Sequence, residues 1–240
     1  MTNDGAGGRP MTGTGQVPTP PSTRRLGRDQ ILREAVRFID TNGREQLTMR
    51  RLGAELGVEA MALYRYVPGR EQLLDGVVEY VMNELYVATM TGEVAGSWQE
   101  YLQAMAHGVR ALAIQHPRIF PLVATRPPAA PWLRPPLRSL RWVEDFLEGL
   151  AAHGFSPHQS VIIYRAFSTF LLGHLLLEAS TQGGEIVAPV EDDVEFFETN
   201  DLSAYPRLLE LSPELSVDAY DVEFEDALED LINRMGVLRS

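Results

Sequence analysis

Residues 47–81 read LTMRRLGAELGVEAMALYRYVPGREQLLDGVVEYV, and the punctuation of this stretch decides the fold. Thr48 is a good N-cap, the helix it opens turns Leu52 and Leu56 inward, and Gly57 ends it. After the tight Gly57-Val58-Glu59 link, a third short helix from Ala60 to Tyr66 puts Leu63 on the same core. Pro68-Gly69 then breaks the chain. A longer helix, about Arg70 to Thr89, aligns Leu73, Leu74, Val77, Val78, Val81 and Leu85 on one side. Upstream, Ile31, Ala35, Phe38 and Ile39 recur at helical spacing between Arg28 and Asn42, and Gly43 falls where a left-handed C-terminal cap is expected.

Three short helices with a tight link before the last have the geometry of a helix-turn-helix, whose final helix fits a major groove about 12 Å wide. The alternative is an ordinary three-helix bundle. Composition favours the first: the final helix exposes Ala60, Met61, Ala62, Tyr64, Arg65 and Tyr66, where a solvated surface helix would rather use Glu and Gln.

Working outward, residues 1–23 are rich in Gly, Pro, Thr and Ser and read as a flexible tail. Beyond the TGEVAG loop, Ser97 and Glu100 form a capping box that opens a helix running to about Gln115. Residues 116–136 are interrupted by Pro and predict at most short helical turns. A helix follows from about Pro136 to His153, stopping at Gly154. A second capping box, Ser156 with Gln159 and Pro157 at the first helical position, starts the most apolar helix of the chain. Arg165 and His174 interrupt its apolar run, which argues against a membrane span and for a helix covered on both sides, one of them by a second subunit. Residues 182–200, QGGEIVAPVEDDVEFFETN, read as a mobile acidic loop. Two helices close the chain, roughly 202–211 and 216–235, the second with Val217, Tyr220, Phe224, Leu228, Leu231 and Ile232 facing one way before Gly236. No strand and no internal repeat is expected. The fold class is all-α, with residues 24–69 as a helix-turn-helix domain and 70–240 as a larger helical one.

The composition fits a globular chain: 240 residues, 45% hydrophobic and 22% charged. With no Cys, a disulfide framework, a thiolate metal site and a Cys nucleophile are excluded. The N-terminus lacks the basic start and apolar run of a secretory signal, so a cytoplasmic location is expected. The net charge of −12 would by itself argue against a nucleic-acid partner, but its distribution reverses that reading. Residues 24–70 carry ten Arg against six acids, while residues 71–240 carry ten Arg against 26 acids. A basic head on an acidic body is the footprint of one small module that meets phosphate.

The stretch 47–81 closely resembles the DNA-binding signature of the TetR family of bacterial transcriptional repressors. Its Thr-x-x-Arg/Lys-Leu, Leu-Gly-Val, Leu-Tyr and Leu-Leu-Asp elements fall at the family spacing. SWQEYLQAM at 97–105, Thr125-Arg126-Pro127, HGFS at 153–156 and LLGHLLLE at 171–178 are similar to the tetracycline-repressor branch, so the resemblance covers about residues 25–236.

By that resemblance Arg50 sits where the family reaches a base edge, and a guanidinium facing guanine acceptors is the commonest specific contact; a phosphate contact is the alternative. Ala60, Met61 and Ala62 match base-reading positions but offer only methyl and thioether contacts, so their specificity should be modest. Thr48, Tyr64 and Tyr66 match phosphate-contacting positions, with Tyr64 also open to a partly core role. Arg70 opens the fourth helix, where a cation and free N–H groups suit a phosphate. Arg24 and Arg25 are either a minor-groove arm or part of a solvated tail. Leu52, Leu56, Val58 and Leu63 are structural.

One head binds weakly; two heads about 34 Å apart would multiply affinity and demand a palindromic operator in double-stranded DNA. The resemblance implies a homodimer joined by a four-helix bundle of residues 157–180 and 216–235 from each subunit. It also implies an interior effector site, around which Met105, Val109, Phe120, Trp142, Tyr164, Phe167, Phe170 and His174 fall; each is either a ligand contact or plain core. Aromatic walls with few polar groups suit a small, flat, mostly apolar molecule. The tetracycline-repressor branch holds magnesium with a His between the positions of His116 and Thr125, where this chain reads PRIFPLVA. His107, His116, His153, His158 and His174 make no spaced metal motif, so no metal and no cofactor is expected.

The implied function is a ligand-responsive repressor in which an effector moves the fourth helix and the heads lose the grooves. An activator with the same DNA-binding mode is a second reading. A third, an all-helical enzyme for an apolar substrate, finds no activated nucleophile, phosphate loop or metal set.

Overall fold

A computed structural model describes residues 26–90, 96–126, 130, 132–135, 139–184 and 204–239. The expectations for the tail at 1–23, for Arg24 and Arg25, for Pro127 and for nearly all of the TGEVAG and acidic loops lie outside the described residues. Among the described residues every regular element is a helix. In chain order these are α1 (Arg28–Asn42), α2 (Met49–Leu56), α3 (Ala60–Leu63), α4 (Arg70–Met90) and α5 (Trp98–Gln115), then α6 (Phe120–Thr125), α7 (Leu140–Ala152), α8 (Pro157–Thr181), α9 (Pro206–Leu215) and α10 (Tyr220–Val237).

The local signals act as expected at most helix ends. The Thr48 side chain accepts from the Arg51 N–H, and Gly57 closes α2 in the left-handed region at φ 68°, ψ 28°. Both capping boxes form, Ser97 with Glu100 and Ser156 with Gln159. Gly43 has a positive φ but ψ 156°, a mirror-extended conformation rather than the expected left-handed cap; its N–H still reaches the Ile39 carbonyl.

Four boundaries differ from the sequence expectation. Helix α3 ends at Leu63 and residues 64–66 form a turn, with the N–H groups of Tyr66 and Val67 both on the Leu63 carbonyl. Pro68 explains this: the residue before a proline is forced out of the helical region, so the last turn tightens early. Helix α7 begins at Leu140, where the Ser139 hydroxyl caps the Trp142 N–H; residues 136–138 lie outside the described part. Helix α9 lies a few residues later than expected, with Pro206 at its first turn. Helix α10 runs through Gly236 to Val237, and its buried stripe is Phe224, Leu228, Ile232 and Met235; Val217 precedes the helix and is exposed.

One continuous core joins the head to the body. Ile31, Ala35 and Ile39 of α1 are 0% exposed and share a cluster with Leu52, Leu63 and the α4 stripe Leu73, Leu74, Val77, Val78 and Val81. Each such Ile, Leu or Val side chain contributes roughly 1.5–3 kcal/mol by leaving water. Helix α4 packs on α1 of the head and also on α5 and α6, so it belongs to both halves. Helix α8 has the length and composition to cross a membrane, with a mean hydropathy of 1.5 over its most apolar 18 residues. Its inward side, Ile163, Phe167, Leu171 and Leu175, packs within the protein, whereas Val161, Ile162 and Leu177 on the other side are exposed. The expected burial on both sides thus holds for only one side within a single chain.

Candidate functional site: a nucleic-acid interface and a core seam

The head's geometry rests on a close approach between α2 and α3. A Cβ on Gly53 would stand 2.8 Å from the Val58 carbonyl oxygen and 3.3 Å from the Ala60 nitrogen, so the backbones touch there without any side chain between them. With Leu63 at 0% exposure, the opposite side of α3 and the turn that follows it face solvent: Met61 is 75% exposed, and Tyr64 and Tyr66 of the turn are 43% and 40% exposed. Ala60 and Ala62 are half-buried, and Ala60 packs against the core. Thr48 and Arg50 are exposed at the start of α2, Thr48 already capping that helix.

Arg70, expected at a phosphate, has partners within the protein as well. Its Nε donates to the Leu47 carbonyl at 3.0 Å and its Nη2 to the Arg44 carbonyl at 2.8 Å, so the guanidinium staples the α1–α2 turn to the start of α4.

The head is tied to the body by polar pairs as well as by core. His116 Nδ1 lies 2.7 Å from Asp40 Oδ2, and Arg118 donates to the Thr41 and Asp40 carbonyls at the end of α1. Arg126, just past α6, pairs with Asp75 at 2.8 Å and Glu71 at 3.0 Å on the first turns of α4.

In the body, the aromatic expectation divides. Trp142 stacks on Phe146 with centroids 5.2 Å apart and planes at 11°, and Phe146 stacks on Phe167 at 5.2 Å and meets Tyr164 edge-on at 6.1 Å. The Tyr164 hydroxyl donates to the Pro135 carbonyl at 3.0 Å, and burial pushes its phenol up to about 12, so it stays a neutral donor. Beside this column runs a closed apolar seam lined by Met82, Val109, Val123, Trp142, Ser168, Leu171 and Leu172. Its free space is about 10 Å³, at most one water.

Of the eight residues expected around an effector, only Val109 and Trp142 line the seam. Tyr164 and Phe167 form the adjacent ring column, and Met105 and Phe120 are buried core. Phe170 and His174 instead face α10, with centroids 5.7 and 5.4 Å from Phe224. The sequence reading missed Phe146, although its spacing of four from Trp142 places both rings on one helix face. Met82, Ser168, Leu171 and Leu172 carried no signal distinguishing them from core. Among the described residues no group of three or more His, Asp or Glu is close enough to hold a metal ion.

An all-helical body carrying a helix-turn-helix head defines a class, the DNA-binding transcriptional regulators. Two family models match this chain: "Bacterial regulatory proteins, tetR family" over residues 31–77 and "Tetracyclin repressor-like, C-terminal domain" over 92–237. The second spans more than half of the sequence, and the chain belongs to the TetR family of bacterial transcriptional regulators. Members of that family are DNA-binding transcription factors rather than enzymes. It is 37% identical to the HTH-type transcriptional repressor DrrR1 of Streptomyces coeruleorubidus over 118 residues, 49% of this chain and 43% of DrrR1, so the match spans less than half of that relative. A solved possible TetR family regulator from Streptomyces coelicolor A3(2) superposes with a TM-score of 0.69 at 24% identity, covering 88% of this chain and all of that one. ActR from Streptomyces coelicolor, solved in complex with actinorhodin, gives a TM-score of 0.65 at 25% identity over 88% of this chain and 96% of ActR.

Proposed function

We propose that this regulator is a homodimeric repressor that grips a palindromic operator through two heads and releases it when a small, largely apolar effector enters the body. The observation that carries the DNA reading is the solvent side of α3 and of the turn after it: Met61 on the helix and Tyr64 and Tyr66 in the turn are exposed, while Leu63 is wholly buried. Large apolar and aromatic side chains held in water on a basic head gain a purpose against a groove and its phosphates. In this reading Arg50 reads a base edge, Ala60, Met61 and Ala62 touch thymine methyls, and Thr48, Tyr64 and Tyr66 position the head. The Arg70 staple holds the α1–α2 turn, with its helix start left to offer N–H groups to a phosphate.

The dimer face in this reading is the exposed side of α8 together with α10, where Phe170, Ala227, Leu231, Arg234 and Val237 border an open groove. Release follows from linkage. An effector that favours a spread body displaces α4, and the pairs Arg126–Asp75 and His116–Asp40 carry the displacement to α1. A hundredfold preference for the released form corresponds to about 2.7 kcal/mol. The likeness to ActR, solved with actinorhodin, supports a small-molecule effector here.

Arg50→Ala is the test of base reading. Fluorescence anisotropy with a palindrome from upstream of the protein's own gene should show affinity falling about 5- to 150-fold, the equivalent of a lost bidentate base contact. Binding to random duplex at the same salt should change far less. Equal losses on both duplexes reassign Arg50 to phosphate, and a sedimentation profile that stays monomeric with operator present removes the dimer.

A further inference from the structure

We infer that the α5–α6 turn, residues 116–118, is a second strut between helix α8 and the head, and that Gly184 and Arg118 are positioning residues that set which operator half-site separation fits. This rests on the dimer reading above and adds a route from the dimer face to the head that does not pass through α4.

At the body end the strut is a contact between backbones. Past Thr181 the chain reverses at Gly183, with φ 89°, and the Gly184 N–H donates to the Ala179 carbonyl at 2.8 Å. Gly184 is buried, and a Cβ built on it would stand 2.3 Å from the Pro117 carbonyl oxygen and 2.7 Å from that of Ala179. The end of α8 therefore lies directly on the turn, with no side chain between them. Gly183 already makes the left-handed reversal, so the termination of α8 does not account for a second glycine. The approach to Pro117 does.

The turn itself is stiff. The His116 N–H closes α5 on the Leu112 carbonyl at 2.9 Å, the His116 carbonyl accepts from Ile119 and Phe120 at 3.0 and 2.9 Å, and the ring of Pro117 fixes its φ. On its far side the turn holds the last residues of α1. Arg118 Nη1 donates to the Thr41 and Asp40 carbonyls at 2.7 and 3.2 Å, and His116 Nδ1 meets Asp40 Oδ2. The last carbonyls of a helix have no partner within it, so Arg118 completes α1 as it ties it down.

Helix α4 secures the first turns of α1: Glu79 pairs with Arg28 at 3.1 Å, and the missing side chain of Gly76 leaves room for Leu32. From Arg28 to Asp40 is about 18 Å, at 1.5 Å per residue. A head secured at its first turns alone can pivot about them; securing the last turn as well removes that freedom and aims the recognition helix from α8. The aim matters because one base pair more between half-sites displaces a head by about 3.4 Å and turns it by about 34°.

The test uses the palindrome from upstream of the protein's own gene and two copies with the half-sites one base pair closer and one farther apart. Fluorescence anisotropy is read with the full chain as wild type, Gly184→Ala and Arg118→Met. Wild type should favour one separation by about tenfold or more. In both variants the preference should shrink to about twofold, the favoured duplex losing affinity and the other two keeping theirs, because a pivoting head is no longer pre-set for one separation. The two changes are chemically opposite: one adds a methyl group at the α8 end, the other deletes donors at the α1 end. A shared effect therefore belongs to the strut. Sedimentation and a thermal melt confirm that each variant is folded and dimeric; should Gly184→Ala not fold, Arg118→Met decides. Variants that keep the wild-type preference, or lose affinity equally on all three duplexes, overturn the positioning role and leave the dimer reading standing. A wild type that stays monomeric on DNA sinks the dimer reading, and this inference with it.

Discussion

Replacing Arg110 with Met should remove about 3–5 kcal/mol of folding stability, the usual cost of leaving one member of a buried ion pair alone. Arg110 on α5 donates from Nε and Nη2 to the two Glu178 oxygens of α8, at 3.1 and 2.7 Å, with side chains only 11% and 5% exposed. The same guanidinium reaches Asp221 of α10 and lies 4.7 Å above the Phe224 ring. It thus braces α5, α8 and α10 at one point, and Glu178 foremost raises its already high affinity for its proton. Met keeps the length and apolar bulk of the stem but strands a carboxylate that is 4% exposed. Urea denaturation monitored by circular dichroism measures the loss. Arg110→Met combined with Glu178→Gln should recover most of it, because no buried charge then remains unpaired. Asp221→Ala should have little effect, its side chain being 88% exposed and its pairing screened by water. A single Arg110→Met variant as stable as the wild type would mean that the bidentate pair does not contribute.

Gly53→Ala should impair DNA binding more than its one methyl group suggests. The added Cβ would meet the Val58 carbonyl oxygen at 2.8 Å, a backbone atom that cannot rotate away, so α2 and α3 must separate. Overpacking of this kind costs about 1–3 kcal/mol. If that strain falls on the bound arrangement of the head, operator affinity drops by roughly 5- to 150-fold, at about 1.4 kcal/mol per tenfold. Body stability should change little, which a thermal melt reads separately from anisotropy on the operator. Gly57→Ala is the control. Its Cβ would meet nothing within 4 Å, so only the left-handed backbone is strained, at about 1–2 kcal/mol, with no wedge between the two helices. If Gly53→Ala binds operator like the wild type, the contact at Val58 yields more easily than its backbone nature implies.

These two cases divide what was readable from what was not. Helix starts and stops were legible in the sequence because caps act over a few residues: Thr48 and Gly57 around α2, and the boxes at Ser97 and Ser156, fall where their side chains predict. The family motif at 47–81 was equally local, and with it came the class of protein. The early end of α3 was available in principle, since Pro68 restricts Val67 whatever the rest of the chain does.

Other features depended on partners far along the chain. The carbonyls that the Arg70 guanidinium meets lie 23 and 26 residues away, out of reach of any local reading. Phe170, His174 and Phe167 share one apolar helix, and only the docking of α10 assigns the first two to one side and the third to the other. Glu178 carries no local sign of its counter-ion, which is Arg110, 68 residues earlier. Sequence alone determined the all-helical fold, its punctuation and the basic head, since propensity, capping and charge act through near neighbours. Which buried rings close the seam was decided by tertiary packing, because burial is set by residues that meet only when the chain folds.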